Sequence, residues 1–432
     1  MHETGITPCT KPGAFAARER YPKGVDYRPR VLEPLIQELL SELPALLLVG
    51  PRATGKTTTA ARYATTVVRL DRPAEAEAFR ADPDAALRGL DEPVLLDEWQ
   101  AVPEILGAVK RAVDSDASPG RFLLTGSVRA DLASETWPGT GRLVRLALYG
   151  MTMREQLGRP GPTLVDRIAE GQELEVPPDP PDLRGYVELA LRSGFPEAAL
   201  ALSDRTRRRW LGSYLDQLLT RDALELERRR DPTRLGRYFQ ALALNSAGVA
   251  EDKTIYDAAG IDRKTALAYE GLLRDLLIVD AIPAWTSNRL KRLVKSPKRY
   301  VVDPALAAIA LRLDANGIMR DGDILGRVLD TFVVAQLRAE LEITEPRPWL
   351  HHLRARGGRR EVNLLIESGA GKVIGIEIKA SAAPKSSSAR HLSWLRDELG
   401  DRFTAGVVLH TGPKAYELDA RIVAAPICTL WA

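Results

Sequence analysis

The sequence predicts an α/β protein. A parallel sheet with helices on both faces comes first, a mostly helical region follows, and a second α/β unit closes the chain. Three observations predict this. Short apolar runs alternate with helix-compatible stretches from about 44 to 150, the pattern of a parallel sheet. From 184 to about 313 the pattern is mostly helical. Beyond 321 two strands with polar faces appear, one of them ending in Glu377-Ile378-Lys379.

Taken in order, residues 1–30 are polar and proline-bearing and read as a loose arm, and 31–43 as an amphipathic helix. The first strand, Leu46-Leu47-Leu48-Val49, runs straight into Gly50-Pro51-Arg52-Ala53-Thr54-Gly55-Lys56-Thr57-Thr58. This is a G-x-x-x-x-G-K-T phosphate-binding loop between a strand and a helix. Gly50 and Gly55 let backbone N–H groups turn inward to phosphate oxygens. Lys56 sets a cation against the β- and γ-phosphates, and the Thr57 hydroxyl is a ligand for Mg²⁺. Strands follow at 66–70 and 94–96. The second of these ends in Asp97-Glu98, where Asp97 would hold Mg²⁺ and Glu98 would orient the attacking water. A strand at 122–124 ends in Thr125-Gly126-Ser127. Ligands of open α/β sheets sit at the carboxyl ends of the strands, so Thr125 or Ser127 would sense the γ-phosphate. The sheet closes with a strand at 143–148. The cofactors implied are ATP and Mg²⁺.

The run Pro177-Pro178-Asp179-Pro180-Pro181 cannot lie inside an element, so 171–183 is a boundary loop. Residues 254–265 read as a helix-turn-helix. One helix stops at Gly260, and Asp262 caps the next, which runs over 264–277 with Leu267, Leu272, Leu273 and Leu276 apolar. After a short strand at 278–279 comes the basic stretch 289–299, which includes Lys298 and Arg299. It reads either as a wing on DNA phosphates or as the solvated face of a packing module.

In the last segment a helix at 325–341 precedes the strands 360–366 and 373–379. Side chains at i and i+2 share a face, so Glu361 points with Asn363 and Glu377 with Lys379. Acidic residue, hairpin, Glu-x-Lys, helix, strand: this order resembles the PD-(D/E)-x-K nuclease core, with Asp330 as the helix acid. Asn363 stands where the metal-binding aspartate is expected and offers only a neutral oxygen. Glu361, its stand-in, lies a full pleat away. Mg²⁺ sites depend on ligand charge, which favours a structural or nonspecific DNA-binding domain over a cleaving one.

Composition sets bounds. Of 432 residues, 28% are charged and 45% hydrophobic, an ordinary globular balance. The net charge of +3 is too small to announce a nucleic-acid partner by itself. Cys9 and Cys428 lie at opposite ends and imply no disulfide framework. His351-His352 on a strand would face opposite ways and make a poor chelate. No signal-like segment and no apolar run of about 20 residues occurs, so no membrane association and a cytoplasmic setting are expected.

On these residues the chain resembles the bacterial and archaeal P-loop ATPases of the AAA type that end in domain of unknown function 4143. The matching pieces are Gly50-Pro51-Arg52 through Lys56-Thr57, Leu96-Asp97-Glu98-Trp99-Gln100, Leu124-Thr125-Gly126-Ser127, Gly141-Arg142 and Gly194-Phe195-Pro196. Further along they are Tyr214 with Arg221-Asp222, Lys298-Arg299-Tyr300 with Asp303, Glu361-Val362-Asn363, Glu377-Ile378-Lys379, and the ending Pro426-Ile427 with Leu430-Trp431. The resemblance implies an AAA-like core, a helical and winged-helix middle, and a nuclease-like end. It also makes Arg142 a contact for the γ-phosphate. The expected ranges are 1–30 arm, 31–155 ATPase domain, 156–205 linker and helical segment, 206–320 helical and winged-helix domain, and 321–432 nuclease-like domain. The function expected is an ATPase switch that repositions its C-terminal regions. The alternatives are a DNA-binding regulator with nucleotide as a structural ligand, and an ATP-controlled nuclease. DNA, an unidentified protein partner and an oligomer all remain open.

Overall fold

The computed structural model describes residues 27–127, 141–223, 231–286, 296–354, 360–369 and 371–432. Residues 1–26 of the arm, Cys9 among them, and 289–295 of the basic stretch lie outside these.

The first unit is a parallel sheet of β1 (Ala45–Val49), β2 (Thr66–Arg69), β3 (Val94–Asp97), β4 (Phe122–Gly126) and β5 (Val144–Ala147), in the order β2-β3-β4-β1-β5. Strands β1, β3 and β4 are buried along their whole length, as parallel strands covered on both faces must be. Leu47, Leu96 and Leu124 pack with Ile105 and Val109 of the helix Ile105–Ser115. Leu46, Leu48, Leu95 and Leu123 pack on the other face with Ile36 of the helix Glu33–Glu42. This is the P-loop ATPase fold that the sequence predicts.

In the middle region the helices Asp204–Gln217, Pro232–Leu244, Asp252–Ala259 and Arg263–Asp275 share a core around Phe239, Tyr269 and Leu273. A two-stranded antiparallel hairpin of β6 (Val279–Ile282) and β7 (Lys298–Val301) completes it. The turn chemistry matches the sequence reading. Gly260 ends one helix at φ +65°, and the Asp262 carboxylate accepts the Thr265 N–H at 3.0 Å. Two expectations need correction. Leu267 is 56% exposed, because Ala266, Tyr269, Leu272 and Leu273 take the inner face of its helix. Lys298 and Arg299 do not belong to a basic surface. Arg299 turns inward to Glu270 at 2.9 Å and Asp252 at 2.7 Å, and Lys298 turns inward to Asp330 at 3.3 Å.

The last unit is a mixed sheet of β8 (Trp349–Arg354), β9 (Glu361–Glu367), β10 (Val373–Ile378), β11 (Phe403–His410), β12 (Tyr416–Asp419) and β13 (Ile422–Pro426), in the order β12-β13-β11-β10-β9-β8. The hairpin β9–β10 is antiparallel, and β11 joins β10 in parallel across the helix Arg390–Leu399. Leu329, Val333 and Leu337 of the long helix Gly322–Ile343 pack on Ile374 and Ile376, while Leu392 and Leu395 pack on the other face with Val373 and Phe403. Leu164 and Tyr186, from the stretch expected to be a linker and helical segment, lie in the same core as Leu329. Among the described residues no helix is long and apolar enough to cross a membrane.

Candidate nucleotide site

Strand order places the site. β4 lies between β1 and β3, all three run the same way, and Leu48, Thr125 and Asp97 form one row across them. The phosphate loop, Asp97 and Ser127 therefore meet at the carboxyl edge of the sheet. Gly50 is required there: a Cβ would fall 2.2 Å from the Leu148 carbonyl oxygen. Gly55 sits at φ +92°, in the left-handed region.

Lys56, buried at the start of the helix Lys56–Ala60, donates to the carbonyl oxygens of Gly50 at 2.9 Å and Pro51 at 2.8 Å. Burial lowers its ammonium to about 8, while the carboxylates of Glu98 and Asp97 pull it back up. Arriving phosphate charge would favour the protonated form further. Asp97 is buried and accepts two hydroxyls on one oxygen, Thr57 at 2.5 Å and Thr125 at 2.6 Å. Neither hydroxyl brings a positive charge to the carboxylate. A hydroxyl beside a carboxylate, next to a phosphate loop, is the donor set Mg²⁺ takes while retaining most of its water. These residues fit ATP and Mg²⁺.

Glu98 follows β3 at φ +56°, turned out of the strand path. Its carboxylate accepts the Gln100 amide and the Ser127 hydroxyl, the latter at 3.2 Å. The close turn packs Trp99 under the end of β4, where a Cβ on Gly126 would fall 2.6 Å from the Trp99 indole nitrogen. Gln100 had no role in the sequence reading, although it lies two residues past Glu98.

The geometry gives two of the predicted residues other partners. The Thr125 hydroxyl is fully buried and donates to Asp97, so in this structure it holds that carboxylate. Ser127, two residues further on, joins Gln100 in donating to the Glu98 carboxylate. Arg142 precedes β5, whose Val144 pairs with Leu46 at the start of β1. It therefore lies at the amino edge of the sheet, roughly 20 Å of strand from Gly50, and pairs with Asp114. Within one chain it does not reach the phosphate loop. The strand direction could have revealed this, since a residue before a parallel strand is always on the far edge.

The structure also brings together most of the predicted C-terminal cluster. The Asp330 carboxylate accepts the Asn363 amide at 3.0 Å and pairs with Lys298 at 3.3 Å. Burial opposes the Lys298 charge, but Asp330 more than offsets it and holds the ammonium above the usual lysine range. The Asn363 carbonyl accepts the Ile378 N–H at 3.2 Å, and Lys379 pairs with Glu377 at 2.9 Å. Burial pushes the Glu377 carboxyl up to about 7, against the pull of Lys379. Glu361 turns toward Arg354 at 3.8 Å and does not take the place of the missing aspartate. Among the described residues no three acidic, histidine or cysteine side chains gather as a metal site.

Comparison with known proteins agrees with the fold. Residues 42–157 match the family described as AAA domain, 183–317 a domain of unknown function (DUF8612), and 325–430 a domain of unknown function (DUF4143). The chain thus carries an AAA domain of P-loop ATPase fold toward its N-terminal side. Toward its C-terminal side it carries DUF4143. Uncharacterized protein Rv2008c of Mycobacterium tuberculosis is 29% identical over 398 residues, covering 90% of this chain and 82% of that protein. Uncharacterized protein Mb2031c of Mycobacterium bovis matches to the same extent. Among solved structures, the Walker-type ATPase PABY2304 of Pyrococcus abyssi is 15% identical with a TM-score of 0.41, covering 67% of this chain and 99% of that one. A RuvB mutant of Thermotoga maritima is 19% identical with a TM-score of 0.28, covering 62% and 97%.

Proposed function

We propose that this protein is a Mg²⁺-dependent ATPase whose nucleotide state controls its helical and C-terminal regions. The observation that carries the reading is the Asp97 carboxylate, held by Thr57 and Thr125 beside the buried Lys56 ammonium at the end of the phosphate loop. Loop N–H groups from Arg52 to Thr58 would hold the phosphates, and Thr57 and Asp97 would hold the metal. A bound metal would supply charge neutralisation on the transferred phosphoryl group. Lys56 adds a fixed cation to the same charge. Glu98, braced by Gln100 and Ser127, orients water and accepts its hydrogen bond. Thr125 keeps Asp97 in place.

The C-terminal cluster supports a different inference. Asp330 already has a lysine partner and an amide donor, so it has little left to offer a cation, and we infer that this unit does not cleave DNA. Incubation with supercoiled DNA plus Mg²⁺ or Mn²⁺ tests this; cleavage that vanishes in Glu377→Gln would refute it. For the ATPase, Glu98→Gln should keep ATP binding and lower kcat by about 10²–10⁴. Wild-type turnover in that variant would remove Glu98 from the chemistry.

A further inference from the structure

We infer that Arg30 and Tyr214, both outside the phosphate loop, are positioning residues that hold its backbone in the phosphate-binding shape. The inference rests on the nucleotide reading above. In a trans peptide the C=O of one residue and the N–H of the next point in opposite directions. Anchoring a loop carbonyl from outside therefore aims the following N–H at the concave side.

Two carbonyls are anchored in this way. The Arg30 guanidinium, only 5% exposed, donates to the Thr54 carbonyl oxygen at 2.7 Å and so orients the N–H of Gly55. The Tyr214 hydroxyl donates to the Arg52 carbonyl oxygen at 3.2 Å and so orients the N–H of Ala53. Ala53 and Gly55 are the residues of the loop with positive φ, +61° and +92°. A non-glycine residue such as Ala53 is strained there and persists only when its surroundings hold it.

Each anchor is itself fixed. Arg30 donates to Glu155 at 3.0 Å and to the Tyr149 carbonyl oxygen at 2.7 Å. Glu155 in turn accepts the N–H groups of Val31 and Thr152, both at 2.7 Å. Tyr214 stacks on Trp210 at 5.4 Å and packs against Phe195 at 4.7 Å between ring centres. It belongs to the helix Asp204–Gln217, so the shape of the loop depends on a helix from outside the ATPase sheet.

The test uses the full chain carrying Tyr214→Phe or Arg30→Lys. It measures KM and kcat for ATP, ADP affinity by titration, and melting without nucleotide. A support used equally in the ground and transition states changes KM and leaves kcat alone. For Tyr214→Phe the expected rise in KM is about three- to tenfold, the worth of one hydrogen bond. ADP should weaken by the same factor, kcat should stay within about twofold, and nucleotide-free melting should fall by no more than the worth of that one hydrogen bond. Arg30→Lys keeps the charge but loses the planar fork, and should raise KM further. If wild type binds nucleotide and both variants bind ATP and ADP as wild type does, the inference is wrong and the nucleotide reading stands. If wild type binds neither ATP nor ADP, both fall. Early melting with an unchanged KM in both variants would make these packing residues and overturn the positioning role.

Discussion

Two places in this chain each gather a lysine, a carboxylate and a small polar side chain, and they treat charge in opposite ways. At the end of β3, Asp97 is held by two hydroxyls, and the nearby Lys56 ammonium is spent on loop carbonyls. Carboxylate and ammonium are kept apart, each satisfied by neutral groups. Where the middle region meets the C-terminal unit, Asp330 and Lys298 are paired with each other, and Asn363 takes up the same carboxylate oxygen. The residue types are nearly the same in both places. Charges solvated by neutral dipoles remain available to a ligand, whereas charges already neutralised serve as a fastener. Here the fastener joins the β6–β7 hairpin to the long helix Gly322–Ile343.

The comparison can be broken at four points. Removing the fastener should have the largest effect. Lys298→Met strands the Asp330 carboxylate in a buried place and should cost about 3–5 kcal/mol of stability in denaturant unfolding. The double variant with Asp330→Leu should recover most of it. Equal stability of Lys298→Met and wild type would mean that the pair does not fasten anything.

The open site gives the next effect. ATP·Mg²⁺ at about a hundred times Kd should add ~2.7 kcal/mol of stability, and Lys56→Ala should remove most of this. An undiminished nucleotide shift in Lys56→Ala would remove the phosphate loop from the argument.

Glu377 sharpens the contrast through pH. Its folded pKa, about 7, is above the ordinary glutamate value of 4.5, so the folded state keeps a proton that the unfolded chain has lost. Stability should therefore fall as pH rises from about 4.5 to about 7 and change no further through this group. Glu377→Gln, which cannot ionise, should gain on wild type by about 2 kcal/mol between pH 5 and pH 8. A stability difference that stays flat over that range would contradict the burial argument. The smallest effect belongs to Arg142→Ala. Far from the loop, it should leave kcat and KM of the isolated chain within about twofold, against the ~10³–10⁵ loss expected of an arginine finger. A loss of that size would show that Arg142 serves a neighbouring copy.

Much of the site was legible because its parts are contiguous. The loop from Gly50 to Thr58 and the pair Asp97-Glu98 carry their geometry in adjacent residues, and the caps at Gly260 and Asp262 do the same for the helix-turn-helix. The groups that hold those parts in place were not legible. Arg30 lies 24 residues from Thr54 and Tyr214 lies 162 from Arg52. Nothing in local propensity or period connects such pairs. Lys298 sits in a run of basic residues that looks solvated, and only the packing of β7 against the long helix turns it inward.

By itself, then, the sequence determined the strand–loop–helix, the acidic strand end, and the order of the α/β, helical and α/β units. These follow from hydrophobic period and from turn residues acting over a few positions. The tertiary structure alone decided which charges remain available and which are cancelled. That depends on the direction and order of strands and on side chains brought together from distant segments, where burial strengthens each electrostatic contact.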